Sequence, residues 1–345
     1  MVFYSEASIE NLIVHSIGNK LKGDSVLLSN STVILNSDLE NELLRFFLNP
    51  FLKLNEYYSF DNLETNEIYK AVKDIFNKNS SLAVESKKIA NNLFHIVRSP
   101  KRLAGNLFIA ELDKCIIDDN LTNAIGIFKA ETVDTILNIK PSNERFEVKA
   151  EQGVNVKKLT KGCIIFNINE ENGYIISVLN KKNNKDEIGY WNEDFLNIKP
   201  YIDDYYFTKS TLDCIGEFIL EELPEEFNIS KSSQIDLLKK TVDYCYNNDT
   251  FDLNEYGNDV LENDELIQKL DAFHEDYVNK NELEQVETFD IDKRAIQMKL
   301  KDFKSIIKLD DKFDIVVHKD TENLIRGKDE ATGLDYYQLF FKIES

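Results

Sequence analysis

Between residues 105 and 180 the apolar residues are grouped in six short runs, at 107–112, 124–129, 135–139, 146–150, 163–168 and 174–179. Runs of that length, rich in β-branched and aromatic side chains, dictate strands rather than helices. The last two are separated by Asn169-Glu170-Glu171-Asn172-Gly173, a hairpin loop with its glycine near the end. Residues 12–17, 26–28 and 31–35 also read as strands. Helical spacing then takes over, with Leu39, Leu43, Phe46 and Phe47 on one face and Pro50 ending the pattern. A short helix is expected over 67–77. A longer one is expected over 81–98, with Leu82, Ile89, Leu93, Ile96 and Val97 inward and Ser99-Pro100 as the stop.

After Pro200 the period changes again. Leu212, Ile215, Phe218 and Ile219 share a helical face before Pro224 interrupts. Further stripes follow at Ile235, Leu238, Val242 and Cys245, and at Leu266, Leu270 and Phe273. Strands return near 314–318 and 336–343. Blocks of strands and blocks of helices, rather than an alternation of the two, predict an α+β protein. The expected N-terminal domain, 1–205, is a mostly antiparallel sheet with flanking helices. The expected C-terminal domain, 206–345, is acidic, mostly helical and closed by terminal strands.

The charge follows the same division. The 345 residues carry a formal net charge of -21, and 1–200 contribute only -3 of it while 201–345 contribute -18. Global attraction to nucleic acid or to an anionic membrane is therefore not expected, and any such binding would have to come from a local patch. No apolar run approaches the roughly 18 residues of a membrane span. The N-terminus lacks the basic and apolar regions of a signal peptide. Four cysteines at 115, 163, 214 and 245 match no zinc spacing and read as reduced thiols of a cytosolic protein.

Sequence signatures of hydrolases, phosphate-binding loops, dinucleotide folds and zinc peptidases are absent. One loose metal-nuclease pattern survives: Asp134, then Glu147-Val148-Lys149. Both carboxylates would have to share a Mg²⁺ ion with the lysine near the scissile phosphate. Alternating charges on an exposed strand give the same letters.

Two basic clusters stand out against the acidic background. Lys88, Asn91, His95, Arg98 and Arg102 recur at helical spacing, and Lys101 with Arg102 follows the proline. Lys157, Lys158 and Lys161 precede the strand at 163–168, whereas Lys181, Lys182 and Lys185 follow the strand at 174–179. An antiparallel hairpin would bring these six lysines together at its open end, with Glu170 and Glu171 at its tip. Such a cluster repels itself unless a phosphate backbone or nearby carboxylates relieve it. A third feature is acidic: residues 249–287 hold 13 Asp or Glu and two Lys. It is either a solubilising helix surface or a contact for a basic protein.

Several strings, taken in order, carry a family resemblance. They are Gly105-Asn-Leu-Phe-Ile-Ala110, Ala124-Ile-Gly-Ile-Phe-Lys-Ala-Glu-Thr132, Gly162-Cys-Ile-Ile-Phe-Asn167 with Asn172-Gly-Tyr174, and Tyr190-Trp-Asn-Glu-Asp-Phe-Leu196. Leu309-Asp-Asp-Lys-Phe-Asp-Ile-Val-Val-His318 and Gly333-Leu-Asp-Tyr-Tyr-Gln-Leu-Phe-Phe-Lys342 complete the set. Together they resemble the bacterial nucleoid-associated protein family (NdpA/YejK-like). The resemblance implies a cytoplasmic, nucleoid-associated, DNA-binding protein and supplies no catalytic residues.

The expectation is a non-catalytic DNA-binding protein of low sequence specificity, without cofactor or metal. Phosphate contacts are expected from Lys88, Arg98, Lys101, Arg102, Lys157, Lys158, Lys161, Lys181, Lys182 and Lys185. The form of DNA, duplex or single-stranded, is left open, as is a homo-oligomer. The rivals are a protein-interaction module using 249–287 and a Mg²⁺-dependent nuclease.

Overall fold

Strands whose residues are apolar at odd and even positions alike must be covered on both faces of their sheet. The computed structural model describes residues 2–3, 6–97, 99, 104–118, 120–131, 133–142, 145–179, 189–227, 229–284, 286–300, 306–310, 312–317 and 323–341. The chain divides into two units, 1–201 and 202–345.

The first unit contains β1 (Val2–Phe3), β2 (Ser8–Ile17), β3 (Val26–Leu27), β4 (Tyr57–Phe60), β5 (Gly105–Ile117) and β6 (Asn120–Ala130). It continues with β7 (Val133–Ser142), β8 (Arg145–Val154), β9 (Lys161–Phe166), β10 (Ile175–Leu179) and β11 (Ile198–Pro200). Nine of these form one sheet in the order β11-β4-β10-β9-β6-β5-β2-β3, with β1 on β5. Each pairing is antiparallel. Among the described residues, β7 and β8 pair only with each other.

Helices α1 (Ser37–Leu48), α2 (Glu67–Phe76) and α3 (Leu82–His95) cover the sheet. Alternation sorts its side chains. Ile125, Ile127, Cys163, Ile165 and Ile176 share one core with Ile68, Val72, Ile75, Ile89 and Leu93 of α2 and α3. Phe128, Ile164 and Phe166 share the other with Phe46 and Phe47 of α1. Phe47 stacks on Phe128 with centroids 4.3 Å apart. Each such side chain contributes about 1.5–3 kcal/mol on burial. Buried Asn66 caps α2 by accepting the Ile68 and Tyr69 N–H groups, and its own amide donates to the Leu196 carbonyl at 2.9 Å. That ties α2 to the π-helical turn Gly189–Leu196, which buries Tyr190, Trp191 and Phe195.

Residues 31–35 depart from the expected strand. They join no strand: Val33 makes a backbone bond to Leu12, and Ile34 is fully in solvent. α3 ends at His95, short of the expected 98. The Lys20 ammonium takes the His95 carbonyl, and the Asn19 amide takes that of Ser99 at 3.1 Å. A cation at a helix C-terminus satisfies a carbonyl that has no partner within the helix.

The second unit is mostly helical. α4 (Asp204–Glu217) passes through a π-helical turn, Phe218–Glu222, into α5 (Leu223–Phe227). Pro224 was expected to interrupt here. The widened turn relieves the clash its ring would make with the preceding turn's carbonyl, and the helix continues. Then come α6 (Lys231–Asn247), β12 (Thr250–Asp252), α7 (Leu253–Tyr256), a second π-helical turn Gly257–Leu261, α8 (Asp264–Lys280), β13 (Thr288–Asp290) and α9 (Lys293–Lys299). Phe251 of β12 faces Phe289 of β13, their rings stacked at 5.3 Å. Two ladders follow, β14 (Ile306–Leu309) with β15 (Phe313–Val316), and β16 (Leu324–Lys328) with β17 (Asp335–Leu339). The class is α+β, as the sequence predicts. Among the described residues, no helix is long and apolar enough to cross a membrane.

Candidate nucleic-acid interface

The predicted hairpin is present. β9 and β10 are antiparallel, with Phe166 opposite Ile175 at the tip and Gly162 opposite Leu179 at the open end. The tip turns at Gly173, whose φ of 90° is left-handed. A Cβ there would lie 2.5 Å from the Phe60 carbonyl oxygen, so only glycine fits.

The segment before β9 is pinned at several points. The Asn155 side chain accepts the Lys157 N–H at 2.8 Å, and the Asn155 carbonyl accepts the Lys158 N–H at 3.1 Å. Leu159 is buried. The Thr160 hydroxyl donates to the Lys129 carbonyl at 2.8 Å and accepts the Glu131 N–H at 2.9 Å. Lys157 and Lys158 are thus presented to solvent from a fixed turn. Among the described residues, no carboxylate lies within ion-pair distance of either.

Lys161 does not join them. Its side chain is 8% exposed, and its ammonium lies 3.2 Å from both oxygens of Glu131. Lys129, its cross-strand partner, reaches the same carboxylate at 2.7 Å and is 2% exposed. The ring of Tyr190 lies 6.0 Å from the Lys161 ammonium. The expectation of an exposed phosphate contact at Lys161 is corrected: the lysine is spent inside the fold. Sequence reasoning missed this cluster. Its one visible signal was Lys129 inside an otherwise apolar run.

Lys181, Lys182 and Lys185 lie outside the described residues, as do Arg98, Lys101 and Arg102. The chain leaves β10 at Leu179, at the same end of the hairpin as Lys161. Lys88 is exposed on α3 but contacts the buried carboxylate of Glu85 at 2.8 Å. That hydrogen bond raises its pKa. His95 is exposed at the end of the same helix.

The nuclease pattern does not assemble on the ribbon that carries it. Asp134 pairs with Gly153, whereas Glu147 pairs with Lys140, six residues further along β7. At about 3.3 Å per residue the two carboxylates are about 20 Å apart. They cannot bind one ion. Among the described residues, no group of three His, Cys, Asp or Glu side chains could hold a metal.

The acidic stretch 249–287 supplies most of the wall of a cleft of about 590 Å³ in the second unit. Phe207, Phe251 and Phe289 form stacked aromatic walls, Phe207 on Phe289 at 5.7 Å and Phe251 on Phe289 at 5.3 Å. Tyr277 and His274 line it as well. Burial pushes the Tyr277 hydroxyl up to about 12 and lowers the His274 imidazole below its ordinary value. Glu284 and Glu287 stand exposed at the rim.

A family model described as nucleoid-associated protein YejK matches residues 13–332 of the chain. No curated protein matches it.

Proposed function

The chain belongs to the nucleoid-associated protein YejK family, and from that premise we propose that it binds DNA directly through the open end of the β9–β10 hairpin. The observation that carries this reading is the hairpin register, with Leu179 opposite Gly162. It brings the start of β9, which Lys157 and Lys158 precede, beside Leu179, after which Lys181, Lys182 and Lys185 follow in sequence, and so supports a basic surface there. Their role is to contact phosphates, which positions the protein without reading sequence. The sequence offers no helix rich in base-reading Arg and Asn, and low sequence specificity follows. The reading is non-catalytic. The wide separation of Asp134 and Glu147 supports it against the nuclease alternative. It places the protein in the cytoplasm, on the nucleoid.

The test is binding to duplex and single-stranded DNA across a salt series, for the parent and for a protein with Lys157, Lys158, Lys181 and Lys182 all changed to Gln. Parent binding should weaken with salt by roughly 0.9 log units per phosphate contact on duplex DNA. The quadruple variant should bind more weakly and with a flatter slope. Equal binding by the two proteins would refute the assignment of this surface.

The cleft of the second unit favours a second reading, in which a basic segment of a partner protein seats an arginine or lysine between the aromatic walls and the acidic rim. Cations bind well over aromatic faces, and the net -18 of residues 201–345 would steer such a partner. Calorimetry with an arginine-rich peptide tests it. Loss of binding in Glu284→Gln/Glu287→Gln, but not in Glu275→Gln/Asp276→Gln on α8, is the expected pattern. Equal loss in both would reduce the effect to net charge.

A further inference from the structure

The β7–β8 ribbon is apolar on one face apart from the hydrogen-bonded Thr135–Gln152 pair, and mostly charged on the other apart from the exposed Ile136. Register and alternation put Val133, Leu137 and Ile139 of β7 on the same side as Phe146, Val148 and Ala150 of β8. The five larger of these are 50–72% exposed. The opposite face carries Asp134, Lys140, Arg145, Glu147, Lys149 and Glu151, three charges of each sign. Among the described residues, both strands are paired only to each other. A two-stranded hairpin is marginal in water on its own and needs its apolar face covered.

We propose that this apolar face is a self-association surface, and that two copies of the chain pack their ribbons face to face about a two-fold axis. The area fits a second copy. The five side chains leave on the order of 500 Å² of apolar surface in water, the size of the largest apolar patch on a typical monomer and of a kind that is often functional. Two such faces would bury roughly 1,000 Å² in all, the lower bound for a specific interface. The charges also fit. The polar face sums to zero, so it attracts neither phosphate nor a strongly charged protein. The first 200 residues carry only -3, so two copies can approach at this end with little repulsion. A two-fold contact needs a self-complementary surface. Ile139 and Val148 are directly opposed on this face, with Leu137 and Phe146 to either side along the ribbon.

The experiment is sedimentation velocity on the full chain without DNA, from about 1 to 100 μM, a range suited to the weak association of interfaces at the low end of size. The expected result is a concentration-dependent species of twice the 40.0 kDa chain mass. Ile139→Glu/Val148→Glu should weaken association at least tenfold with unchanged circular dichroism. A photo-crosslinking amino acid at Phe146, in the otherwise intact chain, should give a covalent dimer on irradiation and covers the case in which the double variant folds poorly. A parent that stays at single-chain mass throughout overturns the proposal. So does a folded double variant that dimerises like the parent, or a dimer that Phe146 fails to crosslink. None of these outcomes depends on whether the hairpin lysines bind DNA.

Discussion

The ammonium of Lys161, at the start of β9, and the carboxylate of Glu131, just past the end of the neighbouring β6, face each other at 3.2 Å, both side chains less than a tenth exposed. Lys129 shares the carboxylate at 2.7 Å. Glu131 is therefore the common anion of two buried cations. Replacing it with Gln keeps the shape and removes the charge. Breaking a buried pair in this way costs about 3–5 kcal/mol, because the remaining charge stays out of water. Urea unfolding of Glu131→Gln should show a midpoint lowered accordingly, with m unchanged. A variant as stable as the parent would mean that water reaches the cluster.

The same cluster marks how far the sequence could be read. The hairpin was legible because run length, loop residues and Gly173 are all local to 163–179. The burial of Lys161 was not legible, since it depends on a partner strand and on Glu131, thirty residues earlier. In sequence Lys161 looks the same as Lys157 and Lys158. Register likewise decides against Asp134 and Glu147, whose spacing along the chain said nothing about distance. β4 and β11, at four and three residues, were too short to show a period. The charge of 249–287 was visible, but its cleft is completed by Phe207 and Phe289, which lie outside that stretch.

Asp203 caps α4 by accepting the Tyr206 N–H at 2.8 Å, and burial pushes its carboxyl up to about 6 from 3.8. A raised folded-state pKa adds stability that is present below pH 4 and lost as pH rises through 6. At pH 7.5 the ionised cap is therefore a cost. Asn keeps the acceptor without the charge. Asp203→Asn should be more stable than the parent by about 1 kcal/mol at pH 7.5, with solvent screening allowed for. It should also lose part of the stability change between pH 4 and 7. Thermal melts across that range check it. An unchanged pH profile would refute the cap's titration.

All four cysteines are buried and free. Burial pushes the thiols of Cys115, Cys214 and Cys245 up to about 12, and that of Cys163 higher still. The thiolate is the reactive form, and at pH 8 a thiol of pKa 12 is ionised at about one part in ten thousand. Ellman's reagent should label none of them within minutes in the native protein and all four in guanidinium. The sign for stability follows. Unfolded thiols ionise near pH 9 while folded ones do not, so stability should fall as pH rises from 9 towards 12. Rapid labelling of one thiol under native conditions would expose a local opening.

Lys157 and Lys158 provide the sharpest separation between binding and stability. Both side chains are exposed, while the backbone beneath them is held by Asn155 and the buried Leu159. Removing their charges should change folding stability by less than about 0.5 kcal/mol. Each lysine that contacts a phosphate adds roughly 0.9 to the slope of log affinity against log salt on duplex DNA. Lys157→Gln/Lys158→Gln should therefore flatten that slope by up to about 1.8 and weaken binding most at low salt. Screening supports a local effect, because at 0.1 M salt charges beyond about 10 Å are largely hidden. Lys161→Gln should do the reverse, lowering the unfolding midpoint while leaving the slope of the folded protein as it was. If the double variant keeps the parent's slope, these lysines are solvated surface, and DNA is met by another face of the molecule or through a partner.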